Sequence, residues 1–275
     1  MKGGATLGTF SIQHREGIWN GTFSHFSAFG LKHGVSARLG GISNEPFTSL
    51  NLALHVGDDP DAVRTNRQLY CRALDIPAAA LATAEQIHGD SIHLITARDY
   101  GRGAVNYQES LPQTDALITQ VPGIPLMLFF ADCVPVLIFD PVQQAIAVVH
   151  AGWKGTVALL ARKTILAMQK YCQTQPEDCL VGIAPSIGPC CYKVDAPVIE
   201  RLRASFVHWE SLLKEEETHW KLNLWEANRQ QLREMGVKDE NIINSQVCTA
   251  CNSSLFFSYR KEQGKTGRLA AFIML

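Results

Sequence analysis

Residues 129 to 156 read FFADCVPVLIFDPVQQAIAVVHAGWKGT, and the rest of the chain is read outward from this stretch. Val134 to Phe139 is a β-rich run, Asp140-Pro141-Val142-Gln143-Gln144 carries turn chemistry, and Ala145 to Val149 is a second apolar run; together they predict a β-hairpin. Cys133 and His150 lie at nearly equal distances from the middle of the turn. Simple register brings both side chains out at one end of the ribbon, with Cβ atoms about 4.5 to 5.5 Å apart. A thiolate and an imidazole that close can share a metal ion or act as nucleophile and base. Most isolated Cys/His pairs are a buried thiol beside a satisfied histidine. Here the ribbon opens onto Gly152-Trp153-Lys154-Gly155-Thr156 and a helical pattern, which favours a functional reading. Pro135 cannot donate to a ladder, so a bulge is expected around Asp132-Cys133, exposing Cys133.

Downstream, residues 156 to 171 carry Leu159, Leu160, Ile165, Leu166 and Met168 in helical spacing with Thr156 as the expected N-cap. Amides at that helix start, near Gly155, suit an anion such as phosphate. Residues 180 to 184 (LVGIA) and 269 to 274 predict buried strands, 198 to 213 and 222 to 235 predict helices, and 214 to 217 read as a solvated link. Upstream, residues 61 to 74 predict a helix, and 91 to 96, 114 to 119 and 126 to 130 predict strands. The first 30 residues suggest a frayed end and one or two strands. No repeat or low-complexity linker divides the chain, so a single α/β (α+β) domain spanning 1–275, a mixed sheet structure with flanking helices, is expected.

An apolar share of 46% supplies a full core. The 25 basic and 26 acidic residues leave a net charge of −1, with no Lys/Arg run of the kind that binds nucleic acid. No window reaches the roughly 18 apolar residues of a membrane span, and the N-terminus lacks a secretory apolar core. A cytoplasmic small-molecule enzyme is expected, as a monomer or small homo-oligomer. Eight cysteines are too sparse for a disulfide scaffold. Cys248-x-x-Cys251 with adjacent Cys190-Cys191 is a conceivable four-thiolate site, but neighbouring residues rarely aim both sulfurs at one ion, so ordinary thiols are expected there.

His88, directly before Gly89, has the backbone freedom to turn into a cleft. With Cys133 and His150 it makes three N/S ligands with a free fourth place, the arrangement of a catalytic zinc site. Spacing alone does not show that His88 reaches the hairpin. The irregular stretch from His33 to Asp59 carries Arg38, Asn51 and His55; Arg38 reads as either a surface charge or a site residue, and His55 as a structural hydrogen-bonder.

Five segments, Gln86-Ile87-His88-Gly89, Ala131-Asp132-Cys133-Val134-Pro135, His150-Ala151-Gly152-Trp153-Lys154-Gly155, Gly188-Pro189-Cys190-Cys191-Tyr192, and Phe257-Ser258-Tyr259-Arg260 with Thr266-Gly267-Arg268, resemble those of the YfiH family, whose members are also labelled laccase-domain proteins, polyphenol oxidases or peptidoglycan editing factors. The resemblance runs from about residue 30 to the C-terminus. It implies a mixed β-sandwich related to the catalytic domain of cytotoxic necrotising factor, and zinc held by His88, Cys133 and His150. It also implies phosphorolysis of adenosine, inosine, guanosine and methylthioadenosine, and deamination of adenosine. Lys154 stands where the family pattern usually has Arg, which keeps charge but loses the bidentate fork. On this reading Arg38 and the amides near Gly155 position phosphate, and Asp132 or a nearby polar group moves protons. Two rivals remain: a metal-free hydrolase of an amide or cell-wall precursor, with Cys133 as nucleophile and His150 as base, and a binding protein without catalysis. A copper polyphenol oxidase is disfavoured, because nine histidines, none in a His-Cys-His element, do not furnish the roughly ten such enzymes need.

Overall fold

The computed structural model describes residues 8–275, so the start of the expected frayed end lies outside the described residues. The hairpin forms as expected. Val134–Asp140 pairs antiparallel with Ala145–Ala151, from Val134 opposite Ala151 to Asp140 opposite Ala145. Asp140 closes the turn, its Oδ1 accepting from the amides of Val142 (2.9 Å) and Gln143 (3.0 Å). Every residue of both strands is buried, which explains why they read as continuous apolar runs rather than alternations.

The hairpin lies at the centre of a six-stranded mixed sheet in the order Ile242–Asn244, Leu180–Ile183, Val134–Asp140, Ala145–Ala151, Ala116–Thr119, Ile92–Leu94. An antiparallel five-stranded sheet, ordered Phe10–Arg15, Ile18–Phe23, Lys32–Ser36, Leu269–Met274, Leu126–Phe130, packs on one face. Leu126, Leu128 and Phe130 meet Leu137, Phe139 and Val148 in that interface, while the alternate residues Met127 and Phe129 face Tyr70 and Cys71 of helix Pro60–Ala73. The other face of the six-stranded sheet is covered by helices Leu160–Cys172, Ala196–Ser205 and Leu224–Glu234. Helices thus sandwich two sheets, the α/β class expected from the sequence.

Several local expectations are corrected. No bulge interrupts Val134–Asp140. The Pro135 carbonyl accepts from the Ala184 amide, and the N–H that proline lacks would face that same residue just beyond Leu180–Ile183, so only a bond at the very end of the ladder is forgone. The irregularity sits at Asp132, whose φ is +81°, and Cys133 is half-buried. Thr156 is not an N-cap: a short helix, Trp153–Val157, begins at Gly152, and Leu159 (φ +60°) separates it from Leu160–Cys172. Residues 214 to 217 are no open link, since Leu213–Glu216 pairs with His219–Leu222 in a third, small sheet. The predicted helix over 198–213 ends at Ser205.

Next to the sandwich interface, His33 is buried between Phe23 and Phe26. Its Nδ1 donates to the Leu31 carbonyl (2.9 Å) and its Nε2 accepts from the Phe23 amide (2.8 Å). A second proton would turn an N–H against that amide. Burial lowers the pKa of His33, and burial also lowers that of the neighbouring His25 to about 4. Between the unfolded value of about 6.5 and these lower native values, the unfolded chain holds more protons. Stability should therefore fall as pH drops from about 6.5 toward 4, by up to about 1.4 kcal/mol per pH unit for each imidazole. Urea unfolding across this range should show a shallower slope for His33→Gln than for the unsubstituted protein; equal slopes would contradict it.

Candidate metal centre

Three ligand atoms converge where the ends of the two large sheets meet. The donor atoms of His88, Cys133 and His150 all lie within 4.8 Å of one another, and the two imidazole centroids are 4.8 Å apart. The route to this cluster differs from simple opposition across the ribbon. His150 pairs with Pro135, so Cys133, just ahead of the strand, approaches it diagonally, and the left-handed turn at Asp132 aims the thiol inward. His88, also left-handed at φ +60°, comes in from a separate loop. Gln86 docks that loop: its amide nitrogen donates to the Phe129 carbonyl (2.9 Å), and its oxygen accepts from the Phe129 amide (2.8 Å).

Asp115 lies in the stretch 114 to 119, which reads from sequence only as a short strand. Its carboxylate is fully buried. Oδ1 accepts from His150 Nδ1 (2.8 Å) and the His88 amide (3.1 Å), and Oδ2 from the amides of Gly89 (2.7 Å) and Ile87 (3.3 Å). One side chain therefore fixes the tautomer of one ligand and the loop of another, as outer partners of metal-binding histidines do. The available signal was a lone charge heading the apolar run 115–119, since such charges are buried only when paired. Burial alone would raise the Asp115 pKa, but His150 and the loop amides hold it low. Burial would likewise raise Cys133 and lower His150; their mutual attraction, aided by His88 and Asp115, overrides it and favours thiolate beside imidazolium.

The donor set suits a borderline-soft divalent ion. The backbone leaves room for it: a Cβ on Gly152 would sit 2.8 Å from Cys133 Sγ and 3.3 Å from His88 Cδ2. The donors open into a cleft of about 520 Å³ lined by Phe129, Trp153, Tyr192 and Tyr259, with Lys154, Arg260 and Arg268 as its cations.

Other predicted site residues fall differently. Asp132 lines the cleft, and its carboxylate accepts from Thr249 Oγ1 and the Arg260 amide, both at 2.6 Å, so it braces two loops. Arg38 is not among the cleft residues. It stacks on Phe257 and bonds Glu262 (2.8 Å) and the carbonyls of Thr48 and Ser253, behind the loop that presents Tyr259 and Arg260. Gly155 is buried inside the short helix rather than at its start, with a Cβ position 3.3 Å from the Gly89 and His150 carbonyls. His55 lines the cleft.

Fold and donors together define a helix-flanked β-sandwich protein with a candidate three-ligand metal centre. Residues 32–275 match the family model described as multi-copper polyphenol oxidoreductase laccase, and the chain belongs to that family. It is 41% identical over 247 residues to a Geobacillus stearothermophilus protein named purine nucleoside phosphorylase YlmD, covering 89% of this chain and 90% of that one. The Escherichia coli protein named purine nucleoside phosphorylase YfiH is 32% identical over 240 residues, 87% of this chain and 92% of its own. The crystal structure of a Bacillus licheniformis hypothetical protein YfiH superposes with a TM-score of 0.91 at 36% identity, covering 97% and 98% of the two chains. No helix of the described residues is long and apolar enough to cross a membrane.

Asp115→Asn keeps the size of the side chain but must turn its NH2 toward amide or ring donors in either orientation. It should lower metal affinity about 10- to 100-fold, read by competition with a chromophoric chelator. Unchanged affinity would remove Asp115 from the site. Gly152→Ala, which replaces no donor but presses a Cβ against Cys133 Sγ and His88, should weaken binding similarly.

Proposed function

We propose that the protein is a zinc-dependent purine nucleoside phosphorylase of the cytoplasm, acting on adenosine, inosine, guanosine and methylthioadenosine, with adenosine deamination as a second activity. The observation that carries this reading is the meeting, in one cleft, of the His88–Cys133–His150 donors with three cations and several aromatic faces; the printed names of the relatives support it. His88, Cys133 and His150 would hold zinc, which when bound would supply Lewis-acid polarisation and lower the pKa of water.

The protein's own part is placement. Tyr192, Tyr259 and Trp153 offer flat apolar faces for a purine, and a volume of about 520 Å³ falls in the range of small-molecule sites. Lys154, Arg260 and Arg268 hold phosphate against the ribose C1′ and offset the charge that develops as the glycosidic bond breaks. Arg268 is the most firmly set of the three, its guanidinium donating to the carbonyls of Thr266 (2.7 Å) and Gly267 (3.0 Å). Asp115 keeps His150 presented through Nε2.

Purified protein given adenosine and phosphate should release adenine and ribose 1-phosphate, with inosine from deamination. Chelation should abolish the reaction and zinc restore it, and His88→Ala should lower it at least about 100-fold. Absence of all three products from zinc-loaded protein would end the nucleoside reading. Inactivation by iodoacetamide without metal dependence would favour the Cys133 hydrolase instead. Lys154→Arg restores a forked donor and should lower the KM for phosphate, roughly 2- to 10-fold for one added hydrogen bond.

A further inference from the structure

A second cluster of donors lies outside the cleft. The sulfurs of Cys190, Cys191, Cys248 and Cys251 all lie within 4.8 Å of one another, with Cys251 Sγ 3.5 Å from Cys190 Sγ and 3.4 Å from Cys191 Sγ. This departs from the expectation that neighbouring cysteines rarely aim both sulfurs at one point. A tight turn, in which the amides of Cys191 and Tyr192 both donate to the Gly188 carbonyl (3.0 Å each), turns both sulfurs of the pair toward Cys251. The facing Cys248-Thr249-Ala250-Cys251 turn is closed by Asn252, whose backbone and side-chain nitrogens donate to the Cys248 carbonyl at 3.1 and 2.8 Å.

We infer that these four cysteines form a structural tetrathiolate site for one zinc-like ion. Tetrahedral bonds of about 2.3 Å place sulfurs about 3.8 Å apart, close to the separations found here. A disulfide would use two sulfurs and leave the other two pressed against it. Packing does not explain the cluster either, because Cys190 and Cys251 are exposed and thiols are weak hydrogen-bonding partners for one another. Cys248 Sγ already accepts the Gly188 amide at 3.2 Å, the kind of outer hydrogen bond that steadies a metal-bound thiolate. Each thiol that ligates gives its proton to solvent, so loading the site releases protons.

The ion would join two loops that touch the cleft. On one, Ile187 and Tyr192 line it; on the other, Thr249 bonds Asp132, next to Cys133. The amides of Thr249 and Ser186 already connect these loops, to the carbonyls of Ser186 (3.0 Å) and Val247 (3.2 Å), and a tetrathiolate would lock that contact.

Elemental analysis of protein produced with zinc should give about two ions per chain. His88→Ala/His150→Ala should retain about one, and its zinc X-ray absorption should report four sulfur neighbours at about 2.3 Å. Cys190→Ser/Cys251→Ser should lose about one ion and keep a mixed nitrogen–sulfur environment. If that variant does not fold, the ion count of the unsubstituted protein and the absorption spectrum of the histidine variant decide. One ion per chain that vanishes with the two histidines, a disulfide seen by intact mass in zinc-replete protein, or iron–sulfur absorption would each overturn the inference.

Discussion

A single buried carboxylate holds the candidate centre together. Asp115 has no exposed side-chain surface, and an uncompensated charge there would cost several kcal/mol. It is instead surrounded by four N–H donors, three from the backbone of residues 87–89 and one from His150. Each donor belongs to a piece of chain that must be placed for the site to exist. The same bonds that make the charge tolerable also hold the His88 loop in its left-handed turn, because losing that turn would strand the carboxylate. Formation of the site and satisfaction of the charge are one event.

That constraint works only because the two sheets deliver their edges to the same place. His150 is the penultimate residue of a strand buried on both faces, its ring packs 5.3 Å from that of Phe130, and Phe130 belongs to the five-stranded sheet. Gln86 joins the His88 loop to the same sheet through Phe129. The interface of the two sheets is therefore the floor of the site, and the cleft lies where their regular pairing stops. Glycine at 152 completes the arrangement by leaving no Cβ between two donors.

Local pattern carried much of this. The hairpin, its turn, most of the flanking strands and the Cys133–His150 pair follow from short-range spacing, because each signal lies within a few residues of the chain, whereas the place of His88 beside them came from the family resemblance. What escaped depends on contacts distant in sequence. Asp115 and His150 are 35 positions apart, and nothing near Asp115 announces a partner. Arg38 sits in an irregular stretch, yet its guanidinium is taken up by Glu262, 224 residues away. Thr156 has the chemistry of a cap, but its hydroxyl is buried against the Ala151 carbonyl and the Asn228 amide, a tertiary use of the same group. Residues 214 to 217 carry a polar sequence that pairs as an edge strand only because a complementary strand returns beside it.

Asp132 shows how far the influence on the metal donors extends. Its left-handed backbone sets the direction in which Cys133 leaves the strand, and a non-glycine residue holds that conformation only where its surroundings fix it. The surroundings are the carbonyl of Asp132 receiving the Ile187 amide (2.9 Å) and its carboxylate receiving Thr249 and the Arg260 amide. Those three partners come from the same two irregular segments, 186–192 and 247–260, that carry four cysteines and line one wall of the cleft. The thiol is thus aimed from outside the sheet that bears it. Loops without regular secondary structure are ordinarily the most mobile parts of a fold, so a donor that relies on them needs them fastened, and here the fastening points and the donor are one residue apart.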